Sequence, residues 1–312
     1  MKVFLANPRG FCAGVDRAID IVKLALKRFN RVYVRHEIVH NHHVVSDLVK
    51  RGAIFVEDLD EVPPGSIIIF SAHGVSSEVK QKAIAQGFKV IDATCPLVTK
   101  VHLEAIKYAK EGLHIFLIGH KQHVEVVGTW GEAPESITVV ETLADIEKAH
   151  VPDPDRVAVL TQTTLSLDDT EQMIAALKKR FPNIRQPRAN DICYATTNRQ
   201  DTVKLMAKCC DTILVVGSAT SSNSNRLMEV AKSCGVRSFL IDDETQITAE
   251  MLQGVENLGL TAGASAPELL LQSILAWLKE RYGSFEIEEI GNAGQNVSFM
   301  LPKELVELQD QK

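Results

Sequence analysis

Residues Ile67-Ile68-Ile69-Phe70-Ser71-Ala72-His73-Gly74 decide the fold. Four consecutive apolar residues, mostly β-branched, read as a strand covered on both faces, as in a parallel sheet. The run stops at a serine, a histidine and a glycine before a helical segment. Loops at the carboxyl ends of parallel strands are where α/β proteins hold ligands. The same succession recurs along the chain. Strand-like runs occupy residues 3–6, 32–35, 67–70, 89–92, 115–118, 157–160, 213–216 and 239–241, and segments such as 15–29 and 103–110 carry helical periodicity. This alternation predicts an α/β fold of mostly parallel sheets with right-handed crossovers.

Other strands also end in small polar residues or histidines, at Gly119-His120-Lys121-Gln122-His123, Thr161-Gln162-Thr163-Thr164, residues 218–225 and Thr261-Ala262-Gly263-Ala264-Ser265. Cys12, Cys95 and Cys193 occupy comparable settings. His40 lies 28 residues after Cys12, His123 lies 28 after Cys95, and Asn223 lies 30 after Cys193. A second polar loop follows at His73, Thr163 and Ser265, a further 33, 40 and 42 residues on. The recurrence predicts three similar small α/β units in a pseudo-threefold trefoil. Their expected bounds are 1–95 (Cys12, His40, His73), 96–193 (Cys95 at its start, His123, Glu125, Thr163) and 194–284 (Cys193 at its start, Asn223, Ser265). Residues 285–312 form a C-terminal tail, in which 285–290 and 297–301 read as extra strands or a returning segment.

The chain has 312 residues, 45% of them hydrophobic, and 34 basic against 40 acidic side chains give a net charge of −6. That balance speaks against a nucleic-acid binder, which needs a basic face. The densest basic run, Lys178-Lys179-Arg180, ends a helical segment, where cations complement the dipole. Apolar runs stop far short of the ~20 residues of a membrane span. The short apolar stretch at residues 3–6 is a poor signal peptide. A cytoplasmic protein with reduced cysteines is expected, unless some hold a metal.

Thiolates are the ligands of iron–sulfur clusters. Structural zinc sites announce themselves with close cysteine pairs, and none occurs among Cys12, Cys95 and Cys193. Three separated thiolates suit one site where three units meet, and would leave one iron of a four-iron cluster open. Packing is the ordinary fate of a free cysteine, and that reading is kept for Cys209, Cys210 and Cys234. His40, His73 and His123 stand in loops facing the same centre. His42, His43, His102, His114 and His150 lack that placement and read as surface or packing residues, with His120 between the two classes. Ser221-Ser222-Asn223-Ser224-Asn225 offers hydroxyls, amides and helix-start N–H groups to an anion. With the histidines and the small residues around Ser265, it suits a di- or triphosphate. No GxxxxGK[ST] sequence marks a P-loop. Glu125, two residues after His123, is the candidate general acid.

At Asn7 to Gly14, Ala72-His73-Gly74-Val75, Asp92 to Thr99, Thr161 to Ser166, Asp191 to Gln200, Ser221 to Leu227 and Thr261 to Pro267, the chain closely resembles the IspH (LytB) family of hydroxymethylbutenyl diphosphate reductases. The resemblance implies a [4Fe–4S] cluster on Cys12, Cys95 and Cys193 with one open iron, and an allylic diphosphate substrate. It implies that His40, His73, His123, Ser221, Ser222, Asn223 and Ser265 hold the diphosphate. Thr163 would bond the substrate hydroxyl region, Glu125 would donate the proton, and ferredoxin or flavodoxin would supply electrons. One departure concerns the expected His-Pro-Glu-Val-Glu-Gly, which here reads His123-Val124-Glu125-Val126-Val127-Gly128. The missing proline and second glutamate bear on loop rigidity and rate. An iron–sulfur lyase would share these cysteines without consuming reductant, as would a redox sensor, for which the acidic chain offers no output surface.

Overall fold

The computed structural model describes residues 1–292, 297–302 and 305. In chain order, β1 (Lys2–Ala6) leads to α1 (Ala13–Arg28), β2 (Val32–Arg35), α2 (His42–Lys50), β3 (Ala53–Val56), β4 (Ile67–Phe70), α3 (Ser77–Ala85) and β5 (Lys89–Asp92). Next come α4 (Pro96–Lys110), β6 (His114–Ile118), α5 (Val124–Trp130), β7 (Ile137–Val140), α6 (Leu143–Lys148), β8 (Val157–Thr161) and α7 (Leu167–Arg180). The chain continues with α8 (Tyr194–Met206), β9 (Thr212–Val216), α9 (Ser222–Ser233), β10 (Arg237–Ile241), α10 (Ala249–Leu252), β11 (Asn257–Ala262), α11 (Glu268–Tyr282) and β12 (Glu286–Ile290).

The expected α/β class holds: the strands form three sheets, and every pairing between named strands is parallel. Their orders are β3-β2-β4-β5, β7-β6-β8 and β10-β9-β11-β1-β12. The three orders share one plan. The first strand of each repeat lies between the second and the third, and a further strand flanks the third. That further strand is β5 in one sheet and a single parallel bridge, Ala158 to Arg185, in another. In the last sheet it is β1, which pairs with β11 in the register Lys2 to Asn257. The expected first segment, 1–95, therefore differs in one element: its opening strand completes the sheet of the third segment. The cause is nonlocal, because the flanking strand in each sheet is the one that leads into a cysteine loop, and β1 leads into Cys12.

Two compact units divide the described chain. Met1–Val15, His40–Val44 and Tyr194–Val297 make the first, which carries the five-stranded sheet. Asp16–Val39, Val45–Cys193 and the described residues from Ser298 on make the second, with the other two sheets. In the first unit the central strands β1, β9 and β11 are apolar on both faces. Val3, Leu5, Leu214, Val216, Leu258 and Leu260 pack with Leu271, Ile274 and Leu278 of α11. Phe4, Ala6, Ile213 and Val215 pack on the opposite side with Val203 and Met206 of α8 and Leu227 of α9. In the second unit, Phe116, Ile118, Val157 and Val159 face Met173 and Leu177 of α7. Ile115, Leu117, Ala158 and Leu160 face Val101, Ala105 and Tyr108 of α4. Each such side chain, once buried, contributes ~1.5–3 kcal/mol, which is why continuous apolar runs become strands between helical layers.

All eight expected strand positions are strands. Residues 285–290 supply β12, whose Glu286 and Glu288 both pair with Lys2. Charges of this kind blunt an exposed sheet edge. Residues 297–301 form no strand, and the Met300 carbonyl accepts a hydrogen bond from Arg17 Nε at 2.7 Å. The rest of the expected tail, at 293–296, 303–304 and 306–312, lies outside the described residues.

Candidate active site

The three cysteines occupy one topological niche three times. Cys12, Cys95 and Cys193 each immediately precede a helix, α1, α4 and α8 respectively. The Cys12 N–H donates to the Ala264 carbonyl at 3.3 Å, Cys95 to Ala72 at 3.0 Å, and Cys193 to Thr163 at 3.0 Å. Each acceptor lies just after the third strand of a repeat, β11, β4 or β8, in the loop that also holds Ser265, His73 or Thr163. A cysteine loop is thus hydrogen-bonded to a second polar loop in every repeat. None of the three is in a disulfide, and all are partly exposed. Helix starts present unsatisfied N–H groups and the positive end of the dipole, which favour anionic ligands.

In the first unit, the polar loops after β9 and β11 converge. Ser221 caps α9, its Oγ accepting from the Ser224 N–H at 3.3 Å. Ser224 Oγ donates to Ser221 Oγ at 3.1 Å, and Ser265 Oγ lies 3.3 Å from Ser221 Oγ and donates to the His40 carbonyl at 3.0 Å. Ser222 opens α9 beside them. Gly217 and Gly263 admit Ser224, since a Cβ at either position would collide with its side chain. Asn223 is only 5% exposed, and both polar atoms of its side chain are buried without a hydrogen-bond partner. Native proteins rarely leave both polar atoms of a buried amide unsatisfied, which makes Asn223 a candidate ligand contact.

The second unit holds the titratable residues. Glu125 is 4% exposed, and its pKa is pushed up to about 7, first by desolvation and then by the charge of Asp191. Two hydrogen bonds from Thr163 oppose that rise: N–H to Oε1 at 2.6 Å and Oγ1 to Oε2 at 3.0 Å. His123 caps α5, its Nδ1 accepting from the Glu125 N–H at 3.2 Å. An accepting Nδ1 leaves the proton of a neutral ring on Nε2. The rings of His73 and His123 stand 6.2 Å apart, and Ser71 Oγ lies 3.2 Å from His73 Nδ1. Val124 takes the first helical position, where the expected proline would have fitted. The His123 cap organises the loop without it, and Val127 points to solvent.

Several residues that support this arrangement were not singled out from the sequence. Asp191, buried two residues before Cys193, accepts from the Thr161 N–H at 3.0 Å and from Lys100 Nζ at 2.9 Å. Lys100 also bonds the Ala189 carbonyl at 2.8 Å, so the helix that starts at Cys95 grips the loop that leads to Cys193. Buried Arg199 donates to the carbonyls of Ala195, at 3.0 Å, and of Gly10, in the Cys12 loop. Gln162 accepts from the His120 N–H at 3.1 Å and donates to Thr164 Oγ1 at 3.0 Å. His36, at φ +60°, places its ring 5.9 Å from that of His73. Asp191, Arg199 and Gln162 lie inside the quoted motif runs, which was their available signal; His36 had none. Buried His102 pairs with Glu132 at 2.8 Å, in keeping with a packing role.

No helix among the described residues is long and apolar enough to cross a membrane. The model of the LytB protein family matches residues 3–279. A 4-hydroxy-3-methylbut-2-enyl diphosphate reductase of Psychrobacter sp. is 56% identical over 98% of this chain and 97% of its own length. The protein of that name from Methylococcus capsulatus is 55% identical, with 98% of each chain covered. The solved structure of the E-1-hydroxy-2-methyl-but-2-enyl-4-diphosphate reductase from Plasmodium falciparum superposes with a TM-score of 0.96 at 40% identity, covering 99% of this chain and 98% of that one. With the family model spanning most of its length and relatives above half identity end to end, the chain belongs to the LytB protein family.

Proposed function

We propose that this protein reduces 4-hydroxy-3-methylbut-2-enyl diphosphate to isopentenyl and dimethylallyl diphosphate, the last step of the methylerythritol phosphate route to isoprenoids. The relatives that match it from end to end bear the name of that reductase. The single observation that carries the reading in the structure is the buried Glu125 carboxyl. Its pKa of about 7 keeps much of it protonated near neutrality, as a general acid requires.

In this reading Cys12, Cys95 and Cys193 hold a [4Fe–4S] cluster. Three partly exposed thiols outside any disulfide, in equivalent loops and each at a helix start, suit such a group, whereas a structural zinc would want a fourth ligand. When bound, the cluster would supply single electrons and an open iron. The protein's own residues do the rest. His40, His73, His123, Ser221, Ser222, Asn223 and Ser265 bind the diphosphate, and the Asn223 amide gains in that ligand the partner it lacks within the chain. Thr163 orients the Glu125 carboxyl and passes its proton towards the substrate hydroxyl, which leaves as water. His123 holds the start of α5 and offers Nε2–H to the anion. A ferredoxin or flavodoxin donor and a cytoplasmic location belong to the same proposal.

The test is anaerobic turnover with a reduced viologen dye. Dye oxidation on adding the allylic diphosphate, with both isomeric diphosphates as products, is the expected result. No oxidation by protein that carries its full iron complement would overturn the reading and direct the search to chemistry without a reductant.

A further inference from the structure

We infer that the start of α2 and the end of β10 form a site for a borderline transition-metal dication, of which Zn2+ is the type. His42 and His43 open α2, and Asp242 and Asp243 follow β10 directly. One ligand atom from each of His42, His43 and Asp243 falls within 4.8 Å of the others. Two imidazoles and a carboxylate are the donor set that zinc, nickel and cobalt favour over calcium or magnesium.

The distances agree with coordination. Zinc bonds to nitrogen and oxygen are ~2.0–2.2 Å, so neighbouring ligands of a tetrahedral ion stand roughly 3.3–3.6 Å apart. Within the three-residue set, His43 Nε2 lies 3.3 Å from Asp243 Oδ2, and beside it His42 Nδ1 lies 3.6 Å from Oδ1 of the neighbouring carboxylate Asp242. His43 Nε2 and Asp242 Oδ1 are both buried, and neither makes a hydrogen bond. Simple histidine–aspartate pairing would align a ring N–H on the carboxylate and satisfy both. Asp243 is already oriented: Oδ1 accepts from the Thr245 N–H at 2.9 Å and from the Thr245 hydroxyl at 2.5 Å. That bonding holds the carboxylate by one oxygen and leaves Oδ2 towards His43. The two rings lie 3.9 Å apart, close enough for both to reach one ion.

A bound ion would tie the segment His40–Val44 to the end of β10. The His40 carbonyl already accepts from Ser265, and Asn41 caps α2 through the Val44 N–H at 3.1 Å. Metal occupancy would therefore fix the loop that carries His40. The site itself does not depend on the reductase reading.

The test is calorimetric titration of ZnCl2 into the full chain, handled anaerobically, beside the Asp243→Asn and His43→Asn variants. The expected result is a one-to-one event in the native chain that weakens at least ~10-fold in each variant. Co2+ added to the native chain should give ligand-field bands without thiolate charge transfer, a readout that needs no variant. Identical isotherms in all three proteins would send the zinc to thiols such as exposed Cys209 and overturn the site. A Co2+ spectrum dominated by thiolate charge transfer, or no binding at all, would overturn it too.

Discussion

Thr163 holds both oxygens of the Glu125 carboxyl, one through its N–H and one through its hydroxyl. Such bonds favour the ionised form, yet the pKa is raised to about 7, so desolvation wins. The folded value lies above the unfolded one of 4.5. The native state therefore binds more protons between these values, and stability falls as pH rises from about 4.5 to about 7. The loss amounts to roughly 3 kcal/mol at ~1.4 kcal/mol per unit. Glu125→Gln keeps the Thr163 N–H bond on its carbonyl oxygen, reverses the hydroxyl bond so that the amide N–H donates to Thr163 Oγ1, and cannot ionise. Urea unfolding at pH 5 and pH 8 should show the variant gaining about that much on the native protein at the higher pH. Parallel pH profiles for the two proteins would show that Glu125 titrates normally.

The same substitution separates proton donation from binding. Glu125→Gln should lower turnover by ~10²–10⁴-fold, the usual contribution of a general acid, with substrate affinity unchanged. In the native enzyme the rate should decline as pH rises above about 7, following loss of the acid form. Near-normal turnover in the variant would remove Glu125 from that role.

Arg199 should matter to Cys12 although the two side chains have different tasks. Its guanidinium satisfies the Gly10 carbonyl in the Cys12 loop. Replacing it by methionine strands the buried Gly10 carbonyl at ~1–3 kcal/mol. Arg199→Met should lower both the iron bound per chain and Tm, and Arg199→Lys should restore part of the iron. Unchanged iron with a lowered Tm would confine Arg199 to packing.

The chemistry-bearing loops were legible in the sequence because cysteine, histidine and serine runs at strand ends stand out against apolar strands. The repeat was legible for the same reason. Four things were not. The edge strands β3 (Ala53–Val56) and β7 (Ile137–Val140) are mostly apolar but only four residues long, and a run that short cannot be told from a buried helix segment by its pattern alone. Pairing of β1 with β11 joins residues 255 apart, from Lys2 to Asn257, and no local pattern encodes it. The supports Asp191, Arg199 and Lys100 look like ordinary surface charges until the fold buries the first two and sets half-buried Lys100 against Asp191. His36 needs its positive φ to reach His73, and a backbone angle leaves no mark on a histidine codon's neighbours.

Asn223 distinguishes a ligand-holding amide from a packing one. Both of its polar atoms are buried without a partner from the chain, so the side chain carries a desolvation penalty with no compensating bond within the protein. Removing it costs folding little, and Asn223→Ala should leave Tm unchanged or raise it. A hydrogen bond to a charged phosphate oxygen is worth ~1.5–3 kcal/mol, which is a factor of roughly 10–100 in affinity. Calorimetry with inorganic pyrophosphate should therefore show a loss of that size in the variant. A packing role predicts the reverse pattern, with a lowered Tm and unchanged pyrophosphate affinity. The two measurements together decide between them, because a ligand-holding role lowers affinity with stability unchanged or raised, whereas a packing role moves stability alone.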